Sequence, residues 1–390
     1  MSAQADRIYL DNAASTPVAD EVIQEMLPFL KNQYGNPSSI HYYGRETSRA
    51  IQNARKQIAS LIGANPREII FTSGGTEADN FAIKGTVQYL KKTHVITSSI
   101  EHDAVLEPCK SLEDAGYDVT FLPVTREGFV NPSDLKNALR PETALVSVMY
   151  ANNEIGTIQP IRDLARIAHE AGTAFHTDAV QAVGKVPINV KDLGVDLLSM
   201  SSHKINGPKG VGALYIRQGF KIAPIIHGGG QESLLRSGTE NVHSIVGFGK
   251  ACELAQNRLP QYQQQVSKLR DYFIAQIQQK IPHCRLNGSA TDRIPNNVHF
   301  TFFGVNGEDL IIKLDENRIA ASTGSACSVK KQKPSHVLKA LGFSYEEITG
   351  SLRLSLGLQN TVQEVDRAVL ILAQVIEELR SLSPFKSKYS

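Results

Sequence analysis

The first two thirds of this 390-residue chain alternate short apolar runs with stretches of helical periodicity. The apolar runs fall at residues 68–72, 94–97, 144–150, 173–177, 195–200 and 212–216, and a helical pattern follows the first of them from residue 78 to about residue 90. Such alternation is typical of a mostly parallel sheet covered by helices. It therefore predicts an α/β protein whose ligand binds at the carboxyl ends of the strands.

The pattern changes after about residue 254. A long glutamine-rich helical pattern at residues 256–280 precedes a strand-like run at 297–301, and a final helical pattern covers residues 362–382. A chain of this length is expected to form two or three domains. We predict a large ligand-binding domain at residues 16–255 and a smaller α+β domain formed by residues 1–15 and 256–390.

Charge and cysteine content exclude several classes of function. The 41 Lys and Arg residues nearly balance 39 Asp and Glu residues, so a nucleic-acid or anionic membrane surface is not expected. No apolar stretch reaches the length of a membrane span, and no secretory signal is expected. The four cysteines lie far apart without zinc-site spacing, which predicts no metal site and fits a reducing cytoplasm.

Two residues at predicted strand ends, Asp178 and Lys204, indicate a cofactor. The run at 173–177 leads into Asp178, and the run at 195–200 leads into Ser-Ser-His-Lys at 201–204. Both side chains are therefore expected at one edge of the sheet. A lysine that forms a Schiff base and an aspartate that keeps a pyridine nitrogen protonated suit pyridoxal 5'-phosphate (PLP). A structural Asp–Lys ion pair is the alternative that these two residues alone leave open.

A phosphate site is predicted where residues 73–77, Ser-Gly-Gly-Thr-Glu, join a strand to a helix. Glycine lets the backbone approach an anion, and a helix N-terminus favours phosphate, so Gly75 and Thr76 would bind it. The Ser201 hydroxyl and the His203 imidazole would complete the site. Glycine in such turns often serves geometry alone, and the absence of a P-loop lysine and of G-x-G-x-x-G spacing argues against a nucleotide site.

Three further polar residues follow predicted strands: His102, Asn153 and Gln181. Imidazole titrates near neutral pH, so His102 is a candidate to stack on the cofactor ring and transfer protons. Amides such as those of Asn153 and Gln181 can tune the ring by bonding to its phenolic oxygen. Each of the three is equally a candidate for an ordinary structural hydrogen bond, turn or cap.

Cys327 and Arg353 are the candidates in the C-terminal part of the chain. Small residues surround Cys327, and Lys330, Lys331 and Lys333 follow it, which favours an accessible, nucleophilic thiolate. Burial as a small apolar residue is the alternative. Arg353 alternates with apolar neighbours as in a strand, and its guanidinium either faces solvent or suits a bidentate contact with an amino-acid carboxylate.

Together, these motifs resemble those of the cysteine desulfurases of the NifS/IscS kind, within the class-V aminotransferases and the fold-type I PLP enzymes. The resemblance covers nearly the whole chain. The matching segments are residues 9–14, 35–38, 72–77, 152–156, 201–204, 236–239, 324–327 and 353–357. The order and combination of these segments are far more specific than any one of them.

The resemblance implies a role for each matching position. Lys204 would carry the cofactor and move the α-proton of the substrate. Cys327 would attack the sulfur of L-cysteine, keep it as a persulfide and release alanine. The other implied contacts are Asp178 to the ring nitrogen, Gln181 to the phenolic oxygen, His102 stacked on the ring, Gly75, Thr76, Ser201 and His203 on the phosphate with Thr239 of a second subunit, and Asn153 and Arg353 on the substrate carboxylate.

The resemblance also implies partners. A homodimer would pass the persulfide sulfur to acceptor proteins, such as a scaffold for iron–sulfur cluster assembly, or to tRNA thiolation. No resident metal is implied, although Cys327 would transiently contact a nascent cluster. The small residues around Cys327 match the group with a long mobile cysteine loop, here residues 322–334. The basic run after Cys327 and the short tail at 383–390 depart from the usual pattern and leave the acceptor open.

The sequence leaves two alternative functions open. Another PLP lyase or aminotransferase would need Lys204 and Asp178 but not Cys327. A scaffold or sulfur-carrier binding protein that kept the fold without catalysis would have no yellow cofactor and would not need Lys204. Selenocysteine is a further substrate that the sequence leaves open.

Overall fold

The computed structural model describes residues 7–324 and 334–382. In this part of the chain, the strands are β1 Ile8–Tyr9, β2 Ile69–Thr72, β3 His94–Ser98, β4 Asp118–Leu122, β5 Thr143–Ser147, β6 Ala174–Asp178, β7 Leu197–Ser201, β8 Gly212–Ile216, β9 Cys284–Leu286, β10 Asn297–Phe302, β11 Ile319–Ala320 and β12 Ser351–Ser355. The helices are α1 Asp20–Lys31, α2 Tyr42–Ile62, α3 Gly75–Leu90, α4 Asp103–Asp114, α5 Pro132–Ala138, α6 Ile161–Glu170, α7 Val190–Leu193, α8 Val242–Lys280, α9 Gly307–Glu316, α10 His336–Ala340, α11 Tyr345–Thr349 and α12 Val362–Leu382.

The main sheet has seven strands in the order β2-β8-β7-β6-β5-β3-β4. Neighbouring strands from β7 to β4 are parallel, whereas β8 is antiparallel to both β7 and β2. The sheet is thus mixed and mostly parallel, as the α/β alternation predicts. The apolar run at 212–216 predicted strand β8 but carried no sign of its reversed direction.

Helices cover both faces of this sheet, because alternate strand residues point to opposite sides. On β5, for example, Val146 belongs to a core with Ile58 of α2, whereas Leu145 belongs to a core with Phe81 of α3. Each buried side chain of this size stabilises the fold by about 1.5–3 kcal/mol. Several such contacts hold α3 against the sheet and thereby fix the position of its N-terminus.

The C-terminal part forms a separate antiparallel sheet in the order β12-β10-β9, packed on α12 and on the second half of the long helix α8. The N-terminal strand β1 pairs with β11 and contributes Ile8 and Leu10 to the same core. This grouping resembles the expected smaller domain, although the proposed boundaries at residues 15–16 and 255–256 stay a prediction. Helix α8 begins at Val242, earlier than the sequence pattern predicted, and ends at Lys280.

No helix within residues 7–324 and 334–382 combines the length and the apolar character that crossing a membrane requires.

Candidate active site

Four adjacent strands of the main sheet deliver candidate residues to one edge. His102 follows β3, Asn153 follows β5, Asp178 ends β6, and Ser201 ends β7, with residues 202–204 directly after it. These strands are neighbours in the order β3-β5-β6-β7. Since the four strands are parallel, their carboxyl ends meet. The two reversals at β8 return β2 to the direction of β7, so that the start of α3 emerges at the same edge.

A cavity of about 230 Å³ lies at this edge. Its lining includes the predicted residues Gly75, Thr76, His102, Asn153, Asp178, Gln181, Ser201, His203 and Lys204, and also Asp79 and Met149. Tertiary structure therefore brings nine of the sequence candidates around a single space. Their joint use of this space as a cofactor site stays a prediction.

Buried carboxyl groups form the floor beneath this cavity. Burial raises the pKa of Asp178, while the Val180 N–H, His102 and Lys204 act to lower it. Burial and the charge of Asp178 raise the pKa of Asp79, whose Oδ1 lies 3.6 Å from Nε2 of His176. Such a cluster of acids favours a cationic ligand, because the ligand would compensate charge that is costly to bury.

Glu101 extends this acidic floor towards β5. It is fully buried, and burial raises its pKa to about 8. Its Oε1 accepts hydrogen bonds from the Ser98 hydroxyl and from the Met149 backbone N–H, while its Oε2 has no hydrogen-bond partner. The side chain therefore holds a proton at neutral pH.

Lys204 enters the cavity from a short 3₁₀ turn after β7. Its Nζ donates hydrogen bonds to the backbone oxygens of Ala13 at 2.6 Å and Ala14 at 2.8 Å. The bonds that hold the N-terminal segment there include one from Thr16 Oγ1 to the His203 oxygen at 2.9 Å and one from the Ala13 N–H to Ser355 Oγ at 2.8 Å. This segment thus links the three-stranded sheet to the Lys204 turn.

Both candidate histidines are neutral at pH 7. Burial lowers the pKa of His102, and the charge of Asp178 only partly opposes this effect. Nδ1 of His102 accepts the Ala104 backbone N–H at 3.0 Å, which places the proton on Nε2. Burial and the charge of Lys204 lower the pKa of His203 to about 4. His102 is therefore available as a flat neutral ring with one N–H donor.

The opposite end of the site opens at the N-terminus of α3 into a space of about 330 Å³ lined by Thr76, His203 and Lys209, among others. A Cβ added at Gly75 would lie 2.8 Å from Cγ2 of Val180, so a larger residue would have to push into the site. The nearest carboxylate is Glu77, which pairs with Arg236 at 2.8 Å. The N-terminus of this long helix thus offers amide N–H groups to an anion.

Arg353 lies on β12, at the border between the two sheets, and is only 2% exposed. Nη1 donates to the backbone oxygens of Asn153 and Gly324, both at 2.9 Å, and Nη2 pairs with Asp11 at 3.0 Å. Nε has no hydrogen-bond partner. Arg353 and Asn153 both line a second cavity of about 120 Å³, next to the first, and Oδ1 of Asn153 is likewise buried and unpartnered.

Sequence reasoning missed several residues around these cavities: Asp11, Asp79, Glu101, Glu154, Lys185, Lys209 and His336. Signals were present for some of them, since Glu101 and Glu154 directly follow or precede named candidates and Asp11 lies in a matched segment. Thr239 is exposed and is not among the residues that line the three cavities described. Cys327, together with residues 325–333 of the predicted loop, lies outside the described residues.

The described residues fit PLP. Buried acids at the floor suit a pyridinium nitrogen, the α3 N-terminus suits a phosphate, and Lys204 lies between them on the lining of one cavity. The unpartnered Oδ1 of Asn153 and Nε of Arg353 are buried polar atoms that a ligand would satisfy.

Comparisons with known proteins agree on one family. Residues 8–368 match the model of the aminotransferase class-V family. The chain is 54% identical to the cysteine desulfurase IscS of Dictyoglomus turgidum over 98% of each chain. A solved NifS-like protein superposes with a TM-score of 0.90 at 38% identity, over 95% of this chain and 100% of the other. A structure of SspA in complex with cysteine gives a TM-score of 0.80 at 39% identity, over 90% and 98%.

Proposed function

Because the chain belongs to the aminotransferase class-V family, we propose that it is a PLP-dependent cysteine desulfurase. It converts L-cysteine to L-alanine and keeps the sulfur as a persulfide on Cys327. The observation that carries the proposal is the cavity of about 230 Å³ that Lys204 lines between an acidic floor and a helix N-terminus. The full-length similarity to cysteine desulfurases supports the choice of this reaction within the family.

The cofactor would be held by residues on three sides. The ring nitrogen would face Asp178, the phosphate would bind the backbone at Gly75 and Thr76 with Ser201 and His203, and the ring would stack on His102. Asp178 is suited to its part because it is buried and bonded by one backbone N–H at 2.9 Å, which fixes the carboxylate without neutralising it.

When bound, PLP would act as an electron sink for the bond changes around the α-carbon of the substrate. The protein supplies the proton transfers. Nζ of Lys204 would take up and return the α-proton of the substrate. The backbone oxygens of Ala13 and Ala14 hold this Nζ in place.

Substrate orientation would depend on Arg353 and Asn153. The carboxylate of L-cysteine is proposed to bind the free Nε side of the Arg353 guanidinium, while the bonds to Asp11 and to the Asn153 and Gly324 oxygens keep its plane fixed. The similar SspA structure in complex with cysteine supports this substrate.

Sulfur transfer then requires a thiolate at Cys327. Its Sγ attacks the sulfur of the bound cysteine, the Cβ–S bond of the substrate breaks, and its electrons remain on Cβ, which takes a proton and leaves as the methyl group of alanine. Sulfur is oxidised in the new S–S bond while the carbon is reduced, so no external oxidant is needed.

The remaining parts of the proposal concern assembly and location. A homodimer would bring Thr239 to the phosphate of the partner's cofactor, which fits the exposed position of Thr239.

Persulfide sulfur would pass to acceptor proteins for iron–sulfur cluster assembly, with tRNA thiolation as a second destination. The domain boundaries at residues 15–16 and 255–256 stay part of the proposal, and residues 325–333 of the predicted cysteine loop at 322–334 lie outside the described residues. A reducing cytoplasm fits the free thiols of Cys109, Cys252 and Cys284.

Mass spectrometry of the purified protein after addition of L-cysteine, without reductant, tests the proposal. We expect one added sulfur atom on the peptide that contains Cys327, with release of alanine. Cys327→Ala should abolish both, whereas Cys284→Ala, at a half-buried cysteine remote from the site, should change neither. Release of sulfide and pyruvate with Cys327 unmodified would instead establish a lyase.

A further inference from the structure

One buried cation adjoins the site without a part in the proposed reaction. Lys185 is 2% exposed, and its Nζ donates to the backbone oxygen and to Oε1 of Gln181, both at 3.1 Å. Gln181 lines both cavities of the site. Burial, together with the charges of Lys204 and Arg353, lowers the pKa of Lys185 to about 7. Burial of a lysine amine costs free energy, so its position beside Gln181 needs a structural explanation.

The neighbours of the Gln181 amide determine which way it faces. Oε1 meets Nζ of Lys185, which has donors and no acceptor while it is protonated, and Nε2 donates to the backbone oxygen of Ala13 at 3.0 Å. A flipped amide would set its oxygen against the Ala13 carbonyl at any pH, and its NH₂ against the Lys185 ammonium whenever that amine is protonated. Both contacts would become repulsive, so the two neighbours select one orientation.

We propose that Lys185 is a positioning residue that keeps the amide NH₂ of Gln181, and not its oxygen, turned to the cofactor. Nε2 has two hydrogens, of which the Ala13 oxygen takes one. The second is then available for an anionic oxygen on the ligand, such as the phenolic oxygen of PLP. The inference rests on the proposed function, because it assigns the direction of a hydrogen bond to that cofactor.

Ala13 connects this arrangement to Lys204. Its backbone oxygen accepts from both Gln181 Nε2 and Lys204 Nζ. When the Lys204 nitrogen is bonded to the cofactor, Gln181 remains as a donor to this oxygen, and Lys185 still holds the other side of the amide. The orientation therefore persists through changes at Lys204.

The test uses the pH titration of the visible absorption band of the loaded protein, which follows the protonation of the Lys204 nitrogen bonded to the cofactor. A hydrogen bond to the phenolic oxygen stabilises the negative charge on that oxygen. The oxygen then attracts the proton on the Lys204 nitrogen less strongly, so the pKa of that nitrogen is lowered. Lys185→Met should free the Gln181 amide, weaken this bond and move the midpoint upwards by about one pH unit, the usual spread of pKa values in folded proteins.

A double-mutant cycle with Gln181→Met separates orientation from charge. If Lys185 acts through Gln181, Lys185→Met should shift the midpoint in the unsubstituted background and leave it nearly unchanged in the Gln181→Met background. Equal shifts in both backgrounds would mean that Lys185 acts by its charge alone and would overturn the inference, as would the absence of any shift. Lys191→Met, the same change at an exposed lysine, is the matched control.

Two further measurements separate loss of the Lys185 donor from repacking, and the inference from the proposed function. Lys185→Leu removes the same donor with a differently shaped side chain, and it should reproduce the shift if loss of the donor is the cause. A shift seen with only one of the two variants would point to repacking and reject the inference. Absence of a visible band in the unsubstituted protein would overturn the proposed function together with the inference, whereas a normal band with additive shifts overturns the inference alone.

Discussion

The two ends of the cavity have opposite electrostatic character. At the floor, Asp79, Glu101 and Asp178 are buried acids whose pKa values are raised above their ordinary range. The opposite end, here called the mouth, is the opening at the N-terminus of α3 lined by Thr76, His203 and Lys209. The acid at the mouth, Glu77, is paired with Arg236. A site built this way favours a ligand that is cationic at one end and anionic at the other.

The difference also concerns folding. The floor is destabilising in the empty protein, because burial of carboxyl groups with few donors costs free energy. The mouth is partly exposed and its one acid is neutralised by a salt bridge, so it costs little. Binding should therefore stabilise the floor far more than the mouth, and each end can be altered separately.

The largest effect is expected from neutralising the floor. Asp178→Asn keeps the shape of the side chain but removes the charge that would hold a protonated ring nitrogen, and kcat should fall by roughly 10²–10³-fold, as for loss of one preorganised electrostatic partner. Steady-state release of alanine measures it. Asp192→Asn, at an exposed position of α7, should leave kcat unchanged. Retention of activity in Asp178→Asn would show that the reaction does not need the charge of Asp178.

The second effect is on stability against pH in the cofactor-free protein. Burial raises the pKa of Glu101 from 4.5 to about 8, so the folded state binds more protons than the unfolded state between these values, and stability falls as pH rises through this window. Glu101→Gln should remove the part of this slope that Glu101 contributes, a difference on the order of a few kcal/mol between pH 5 and pH 8.5. Urea unfolding at the two pH values measures it.

Glu77 at the mouth provides the comparison for Glu101. Burial alone would raise its pKa, but hydrogen bonds from Arg236 and Ser73 outweigh burial and lower it. Its contribution to stability is therefore present above the unfolded pKa and lost as pH falls through the folded one. Glu77→Gln should be destabilising at pH 7 and nearly neutral under acid conditions. The same sign of slope for both glutamates would contradict the contrast between the two ends.

The smallest effect is expected at the mouth. Thr76→Val removes a hydroxyl from the first turn of α3 while keeping the shape, and affinity for PLP should fall by about 10-fold, as for one hydrogen bond to a charged group. Titration of the cofactor-free protein, followed by absorbance, measures it. Pyridoxal without its phosphate should bind both proteins equally, and a loss of affinity for pyridoxal as well would place the Thr76 effect elsewhere in the site.

Local sequence determined the elements of this molecule well. The strands β3, β6, β8 and β10 and the helix α12 lie within one or two residues of their predicted positions, because apolar periodicity reflects burial of a strand or helix face directly. Nine candidates at strand ends and turns gather around one cavity for the same reason, since parallel strands end at a common edge. Membership of the family, which the motifs indicated, is confirmed by the match over residues 8–368.

Other features depend on contacts between segments far apart in the chain, and no local pattern reports them. The reversal of β8 belongs to its pairing with β7 and β2. The contact of Asp11 with Arg353 across 342 positions and the carbonyls of Ala13 and Ala14 that hold Lys204 arise from packing of the N-terminal segment against both sheets. The raised pKa values of the floor and the orientation of the Gln181 amide are likewise decided by burial and by neighbours. Sequence fixes which groups can ionise or donate, but only the tertiary structure decides which of them lose water and which partner each one meets.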